Sequence, residues 1–308
     1  MDPRLGSNEK LARIDELIDW SVVGLLVAGL RVGQSSGRTG RPPYDPLSML
    51  KAVYLQALYD LSDPGLEEAL LDRLSFRRFC GFALDGATPD ETTIWRFKEA
   101  AGAVLEAALD EINRQLSGRG LLVRKGTLMD ATLVASQRRA PGREVGAGGR
   151  HPDEPDADWT RRDGKAFFGY KAHLGVDQGS GLIRRVRLTS AKVYESEVAD
   201  ELISGDERAV YGDRAYELKA RRERLKAAGI KDRIMHRRHK HMGKLPPWLQ
   251  RRNLGIARRR APVEATFSAL KRLYGLGRAR CRTLARNATR LLAMATAYNL
   301  RRAAILSA

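Results

Sequence analysis

The 308-residue sequence contains only two cysteines, Cys80 and Cys281, which cannot by themselves form a disulfide framework or a four-cysteine zinc site. It also lacks any run of about 18 uncharged apolar residues, so no membrane span is predicted. The first twenty residues include acidic side chains and lack an apolar segment with a cleavage site, so we expect no export. Apolar residues nevertheless make up 43% of the chain. That fraction supports a packed core and excludes disorder as the main state.

Acidic residues are nearly absent from the last third of the sequence. From Lys219 to the C-terminus there are 25 basic and 3 acidic residues, a net charge of +22, whereas the whole chain carries +18. A merely soluble cationic surface would be expected to intersperse acids among its bases. Each Lys or Arg placed on a phosphate releases a condensed counterion, so this distribution favours a polyanionic partner. Nucleic acid is the leading candidate.

Residues 1–118 are predicted to form an all-helical domain. Apolar residues recur at helical spacing over residues 5–31. Asp45 and Asp63 are each followed by proline, a combination typical of a helix start. A further helix is predicted to begin within residues 88–93.

Residues 119–308 are predicted to form a second domain, because the apolar period changes there from about 3.6 to about 2. The elements follow the order β-β-β-α-β-α-β, which indicates a mixed α/β (α+β) fold with a mixed five-stranded sheet. A helix follows after a basic stretch. Residues 137–160 are rich in Gly, Pro, Arg and Asp and show no apolar period, so they are predicted to be a long loop.

Three carboxylates stand where they could carry chemistry. Asp130 lies within an apolar strand pattern, where an aspartate costs β-propensity and desolvation unless it is compensated. Asp213 ends a predicted strand, the place where α/β sheets position ligand groups. Glu264 lies in the first turn of a predicted helix. Each has a plain alternative: backbone N–H partners for Asp130, a helix N-cap for Asp213 and the helix dipole for Glu264.

Convergence of these three carboxylates would create strong repulsion unless divalent cations bridged them. Mg²⁺ takes a few carboxylates together with waters and phosphate oxygens. Two such ions about 3.5–4 Å apart activate the attacking oxygen and stabilise the leaving oxygen in phosphoryl transfer. The set therefore suggests metal-dependent chemistry on a nucleic-acid backbone, with two Mg²⁺ ions as cofactor and Mn²⁺ as a substitute.

Several cations are candidates for contact with DNA. Lys271 follows Glu264 by two helical turns and shares its face, and Arg260 shares that face if the helix extends back past a proline. Lys171 and His173 alternate along a strand, so they line either the catalytic cleft or a solvated outer face. The remaining candidates are Arg41 in a linker, Arg96 on a predicted helix, and Arg237, Arg238 and Lys240.

The last three of these residues lie among histidines, at residues 236–241. The spacing of the histidines resembles that of a zinc site, but the interleaved cations oppose Zn²⁺ binding and no cysteine is near in sequence. A phosphate-facing segment is therefore favoured over a zinc site.

Six short strings follow one another along the chain. They read GRPPYDP, PDETTIWRF, TLMDAT, FFGYKAH, VYGDRAY and RAPVEATFSALK, at residues 40–46, 89–97, 127–132, 167–173, 210–216 and 260–271. In this order they resemble motifs of the DDE transposases of bacterial insertion sequences, specifically the IS-five group within the IS-four superfamily. The last string resembles the family's Y-R-E-K helix, although the tyrosine of that pattern falls at Ala257.

The resemblance implies an RNase H-like catalytic domain in which Asp130, Asp213 and Glu264 are metal ligands. It implies transposition of the element's own DNA by hydrolysis at its ends followed by strand transfer. The expected partners are double-stranded DNA, as terminal inverted repeats and target, and a second copy of the chain in a homodimeric synaptic complex. The expected location is the bacterial cytoplasm, in association with the nucleoid. The interval from Asp213 to Glu264 is too short for the large β insertion of some relatives, so no hairpin intermediate is inferred.

Two other functions stay open on the sequence. A sequence-nonspecific nuclease of the same fold would cut DNA without dependence on element ends. A catalytically decayed or domesticated DNA-binding protein would carry out no chemistry. The presence of all three carboxylates disfavours this last function, and their failure to converge would favour it.

Overall fold

The computed structural model describes residues 6–30, 42–141, 151–162, 164–238 and 243–307. Arg41 and Lys240, both predicted to contact DNA, lie outside the described residues. Within the described ranges, no helix has the length and apolar character needed to cross a membrane.

The chain divides into two compact units, Met1–Leu121 with Ala288–Ala308 and Leu122–Asn287. The division after Leu121 lies three residues from the boundary predicted after residue 118. Residues 288–308, however, were predicted to belong to the second domain and group with the first unit. Several of their apolar side chains, among them Leu291, Met294 and Leu300, are buried, and Asn299 donates a hydrogen bond to Asn113 at 2.8 Å.

In the described part of the first unit, the regular secondary structure is helical. Its helices are α1 (Glu9–Leu17), α2 (Trp20–Val27), α3 (Pro46–Leu58), α4 (Asp63–Asp72), α5 (Leu74–Cys80), α6 (Glu91–Gly118) and most of α11 (Leu284–Leu306). The single helix predicted for residues 5–31 is divided, because Asp19 caps α2 by accepting a hydrogen bond from the backbone N–H of Ser21. The two predicted proline starts are present, with Asp45 as the cap of α3 and Ser62 as the cap of α4.

The second unit is built on a mixed sheet of six strands. These are β1 (Thr127–Ala135), β2 (Asp158–Arg162), β3 (Lys165–Asp177), β4 (Ile183–Ser190), β5 (Ala209–Gly212) and β6 (Lys231–Ile234). The strand order is β2-β3-β1-β5-β6, and β4 pairs with β3. The pairs β1–β5 and β5–β6 are parallel, whereas β3 is antiparallel to β1, β2 and β4.

The five predicted strands are present, and β2 corrects the strand count from five to six. It begins at Asp158, within the segment predicted to be a loop, and pairs with the first residues of β3. Most of its side chains are exposed. A strand with so little buried surface leaves no apolar alternation in the sequence, which is why the pattern gave no signal.

Helices of the second unit cover the sheet. They are α7 (Glu195–Val198), α8 (Lys219–Ala227), α9 (Pro247–Arg260) and α10 (Pro262–Leu273), with short 3-10 helices at Ala199–Leu202 and Arg214–Tyr216. Helix α9 occupies the predicted basic stretch, and its buried residues Leu249, Asn253 and Ile256 follow helical spacing between exposed arginines. Helix α10 packs against β1. A separate buried cluster joins Met129 of β1 to Val210 of β5 and Tyr216.

Candidate active site

The parallel strands β1 and β5 bring Asp130 and Asp213 to the same level of the sheet, where β5 has ended and β1 continues. The last paired residues in this ladder are Leu128 and Tyr211, and each aspartate stands two residues beyond one of them. Because parallel strands run side by side in one direction, equal distances past the last pair place both side chains at the same level. The charge of Asp213 accordingly raises the pKa of Asp130.

Asp130 is largely buried and forms an ion pair with Arg260, the last residue of α9. The Nη1 atom of Arg260 lies 2.8 Å from Oδ2 of Asp130, and the two side chains are 16% and 19% exposed. Burial raises the pKa of Asp130, the guanidinium opposes that rise, and Asp213 adds to it. The positive charge of Arg260 therefore compensates the largely buried carboxylate of Asp130. Without Arg260, this carboxylate would be left with the like charge of Asp213 beside it.

Asp213 combines its predicted structural role with a place in the site. Its Oδ1 accepts a hydrogen bond from the backbone N–H of Ala215 at 2.8 Å, which caps the short 3-10 helix that follows β5. The same carboxylate lines a cavity of about 770 Å³. The cap therefore fixes the direction of a side chain that also faces the cavity.

This cavity brings together half of the predicted site residues, including all three carboxylates. The predicted residues that line it are Asp130, Asp213, Glu264, Arg260, Lys271 and Lys171. Glu264 and Lys271 enter from α10, seven residues apart as the helical spacing predicts. The apolar face of that helix is buried through Val263 and Leu270, which leaves Glu264 exposed at the border of the core.

Lys171 and His173 share one side of β3, as predicted, but only Lys171 reaches the cavity. Lys171 donates a hydrogen bond to the carbonyl of Val193 at 2.9 Å. His173 is fully buried, and its Nε2 lies 2.9 Å from Oγ1 of Thr189. The next position on the same side, Gly175, meets the carbonyl oxygen of Leu202. The prediction of His173 as a DNA contact is therefore corrected, because this side of the strand is covered.

The other predicted DNA contacts lie outside this cavity lining. Arg237 and Arg238 follow β6 and are exposed, and Arg96 is exposed on α6 in the first unit. Arg238 lines a second cavity of about 600 Å³ together with Arg214, Lys244 and Ala257. Ala257, at which the tyrosine of the family's Y-R-E-K pattern falls, thus lines this second cavity.

Sequence reasoning missed two contributions to the main cavity. Glu195, the first residue of α7, lines it, and so do Arg161 and Arg162 of the unpredicted β2. Burial, followed by the charge of Arg162, lowers the pKa of Lys271. A glutamate in a first helical turn is fully explained by the helix dipole, so the local pattern held no signal for Glu195. Its position shortly after β4, which ends at Ser190, was the available clue.

Two family models match the chain. The model described as "Transposase DDE domain" matches residues 122–300, and the model described as "Transposase domain (DUF772)" matches residues 1–100. The chain belongs to the DDE transposase family. The DDE domain is RNase H-like, which confirms the predicted fold class, and the two matches confirm the resemblance to insertion-sequence DDE transposases. They are compatible with the IS-five group, which stays a prediction. No solved structure matches this chain significantly.

DDE transposases generally use divalent metal ions, and the donor chemistry of the cavity fits that requirement. Carboxylate oxygens are the ligands that Mg²⁺ prefers. At Asp130 the guanidinium of Arg260 supplies the positive charge that a metal ion would otherwise supply. Within the described ranges, however, no three His, Cys, Asp or Glu side chains are arranged to hold a metal ion. The carboxylates of Asp130, Asp213 and Glu264 therefore suit Mg²⁺ by their chemistry. One of them, that of Asp130, is paired with Arg260.

Proposed function

We propose that this DDE transposase binds the ends of its own insertion sequence and catalyses metal-dependent DNA cleavage and strand transfer. The observation that carries the proposal is the shared cavity of Asp130, Asp213 and Glu264, which is rimmed by basic side chains. An acidic centre with a cationic rim suits a phosphodiester, because the carboxylates hold metal ions while the rim binds the phosphates on either side.

The residues of the cavity take different roles in this proposal. Asp130, Asp213 and Glu264 would hold two Mg²⁺ ions, for which Mn²⁺ can substitute. Once bound, these ions activate the attacking oxygen and stabilise the leaving oxygen. The basic side chains of the lining bind phosphate oxygens and orient the DNA strand; they are Arg260, Lys271, Arg272, Lys171, Arg161 and Arg162.

The first unit is proposed to bind terminal DNA and to take part in dimerisation. Arg96 is exposed on α6 and lies beside Trp95, which is 42% exposed. An exposed cation next to an exposed aromatic ring suits contact with a phosphate and a neighbouring sugar or base. Joining two element ends requires two sets of active-site residues, so we propose a homodimer as the working form on double-stranded DNA.

A second candidate function is DNA binding without catalysis. It is favoured by the arrangement of the carboxylates, since no three metal-ligating side chains within the described ranges are positioned to share an ion. In that case Arg260 would be a permanent partner of Asp130. The two candidates differ in a single observable, the formation of cleaved and joined DNA.

The deciding experiment is a cleavage and strand-transfer assay on DNA that carries the two ends flanking this reading frame. Wild-type protein, D130A and E197Q are compared with Mg²⁺, with Mn²⁺ and with EDTA. Glu197 is exposed on the same short helix as Glu195 and is absent from the lining of the cavity, so E197Q is the matched control. We expect end-specific products from the wild type and E197Q, and none from D130A or in EDTA.

Three other outcomes would reject the proposal in different ways. End-specific binding without product in either metal would identify a decayed enzyme. Cutting without dependence on the ends would identify a nuclease. Wild-type levels of product from D130A, folded as judged by circular dichroism, would remove Asp130 from the catalytic set.

A further inference from the structure

Glu195 brings a fourth carboxylate to the cavity. Its side chain is 25% exposed, and its Oε1 lies 3.7 Å from Nζ of Lys171. Lys171 reaches this position from β3 and is fixed there by its hydrogen bond to the carbonyl of Val193. Glu195 is thus paired with a lysine in the same way that Asp130 is paired with Arg260.

Glu195 shares the lining of the cavity with the two aspartates of the proposed metal site. Burial raises the pKa of Glu195, Lys171 opposes this rise, and Asp213 and Asp130 then add to it. The two aspartates therefore act on Glu195 across the space of the cavity. Within the described ranges these carboxylates are not yet arranged to share an ion. A divalent cation that drew them together would relieve their mutual repulsion.

Tyr216 is a buried neighbour on which the same three carboxylates act, although it packs in the apolar cluster and lies outside the lining of the cavity. The residue is fully buried, and within the described ranges its hydroxyl has no hydrogen-bond partner. Burial raises the pKa of this hydroxyl, and the charges of Glu195, Asp130 and Asp213 add to the effect. The three carboxylates therefore lie close enough together to act on one common group.

One buried guanidinium holds both Glu195 and Tyr216 in place. The side chain of Arg221 is 1% exposed. It donates hydrogen bonds to the carbonyl of Ser196 at 2.5 Å and to the carbonyl of Tyr216 at 2.6 Å, and it pairs with Asp200 at 2.8 Å. Ser196 directly follows Glu195, so the start of α7 is tied to the segment that carries Asp213. The backbone that carries Glu195 is therefore fixed, and its side chain is held by the ion pair with Lys171.

We propose that Glu195 is a further ligand of the divalent-cation site, held by Lys171 in the metal-free protein and released to join Asp130 and Asp213 when the cation binds. This inference rests on the proposed metal-dependent function and adds a carboxylate to it. Lys171 is then a positioning residue that competes with the cation for Glu195. If the ion pair of Lys171 and Glu195 were purely structural, removal of Lys171 would not strengthen cation binding.

The test measures binding of Mn²⁺ to the full chain by titration calorimetry, without DNA. The variants are E195Q, D130N and D213N, with E197Q as the matched control and K171M as an independent probe. We expect E195Q to weaken Mn²⁺ binding by about tenfold or more, because even the loss of a group that only orients a metal ligand costs about 10–100-fold in affinity. E197Q should leave the affinity unchanged. K171M should tighten it, because the competing ammonium is gone. Thermal unfolding confirms that each variant is folded.

The outcomes separate the failure of this inference from the failure of the proposed function. Wild-type affinity in E195Q, with binding lost in D130N and D213N, would remove Glu195 from the site and leave the proposed function standing. Weakened binding in K171M would show that Lys171 supports the structure instead of competing, and would also overturn the inference. An absence of Mn²⁺ binding in the wild type, or full binding in D130N, would reject the cation site itself and the proposed function with it.

Discussion

The guanidinium of Arg260 lies 2.8 Å from the carboxylate of Asp130, so the last residue of α9 neutralises the acid that β1 carries into the cavity. Only Ala261 separates Arg260 from α10, which begins at Pro262 and carries Glu264 and Lys271. A single helical segment with a proline at its junction thus delivers the counter-ion of the first aspartate, the third carboxylate and a lysine to one cavity. The charge balance at Asp130 therefore depends on the same helical segment that holds Glu264.

Substitution of Arg260 should destabilise the metal-free protein. In R260M the carboxylate of Asp130 stays buried and loses its partner. Removal of one member of a buried pair costs about 3–5 kcal/mol, and the partial exposure of this pair lowers the expectation to about 1–3 kcal/mol. Urea unfolding at neutral pH in EDTA measures the loss.

The matched control for this prediction is the double variant D130N/R260M. Its stability should exceed that of R260M, because no unpaired charge is left. Mg²⁺ should also stabilise R260M more than the wild type, since the cation takes the place of the guanidinium. Equal losses in R260M and in the double variant would show that the unpaired charge of Asp130 is not the cause of the instability.

Gly169 should tolerate no side chain, because β1 passes directly beside it. A methyl group at this position would overlap the carbonyl oxygen of Val134 and lie 2.7 Å from the backbone nitrogen of Ser136. Both are backbone atoms of β1 or its end, so neither can rotate away. G169A should therefore lower the free energy of unfolding by about 3 kcal/mol or more, in the range of the large effects of strain and overpacking.

Gly205 provides the comparison for G169A. It also has a positive φ, but a methyl group there would meet nothing within 4 Å. G205A should lower stability by only about 1 kcal/mol, the effect of an unfavourable φ alone. Similar losses in the two variants, measured by urea unfolding, would contradict the close approach of β1 and β3 at Gly169.

The two aspartates could be predicted from the sequence, whereas the other parts of the site required the fold. Asp130 lies within a strand pattern and Asp213 ends one, and parallel strands can bring such positions side by side. Glu264 and Lys271 follow from the spacing of residues in a helix. Alternation along β3 correctly placed Lys171 and His173 on one side, but it could not show that the segment ending at Leu202 covers this side at Gly175.

Glu195 and β2 escaped prediction for different reasons. A glutamate at the start of a helix is locally favourable, so its role depends entirely on where the helix lies in the fold. The strand β2 is mostly exposed and pairs only with β3, so it leaves no apolar period. The last helix, α11, carries buried residues among its arginines, and the charge of the C-terminal third hid its place in the first unit. Tertiary position, which no local pattern records, decided each of these cases.

Acid should destabilise the protein through His173. Burial, followed by the charge of Lys171, lowers the pKa of His173 from the ordinary value of 6.5 to about 3. The folded pKa lies below the unfolded one, so the unfolded chain binds the proton first. The stability that the neutral imidazole contributes is therefore complete above about pH 6.5 and falls as the pH is lowered, by about 1.4 kcal/mol per pH unit.

The measurement for His173 is the free energy of unfolding in urea between pH 7.5 and 5. Compared with the wild type, H173Q should have a flatter profile below pH 6.5, even if its stability at pH 7.5 is lower. H151Q controls for a histidine outside the buried core. If the free energy of unfolding of H173Q depended on pH as steeply as that of the wild type, His173 would be protonated in the folded protein or exposed to solvent.

Arg237 and Arg238 should contribute to DNA affinity through charge alone. Both are exposed after β6, and Arg238 lines the second cavity together with Arg214 and Lys244. Each phosphate contact that is lost should reduce the slope of log K against log salt by about 1, so R237Q/R238Q should lower it by about 2 and weaken binding to all sequences alike. The control K219Q/K226Q removes the same charge from exposed positions of α8 and should change the slope little. An unchanged slope in R237Q/R238Q, or an equal change in the control, would show that binding depends on net charge and that the segment after β6 makes no phosphate contact.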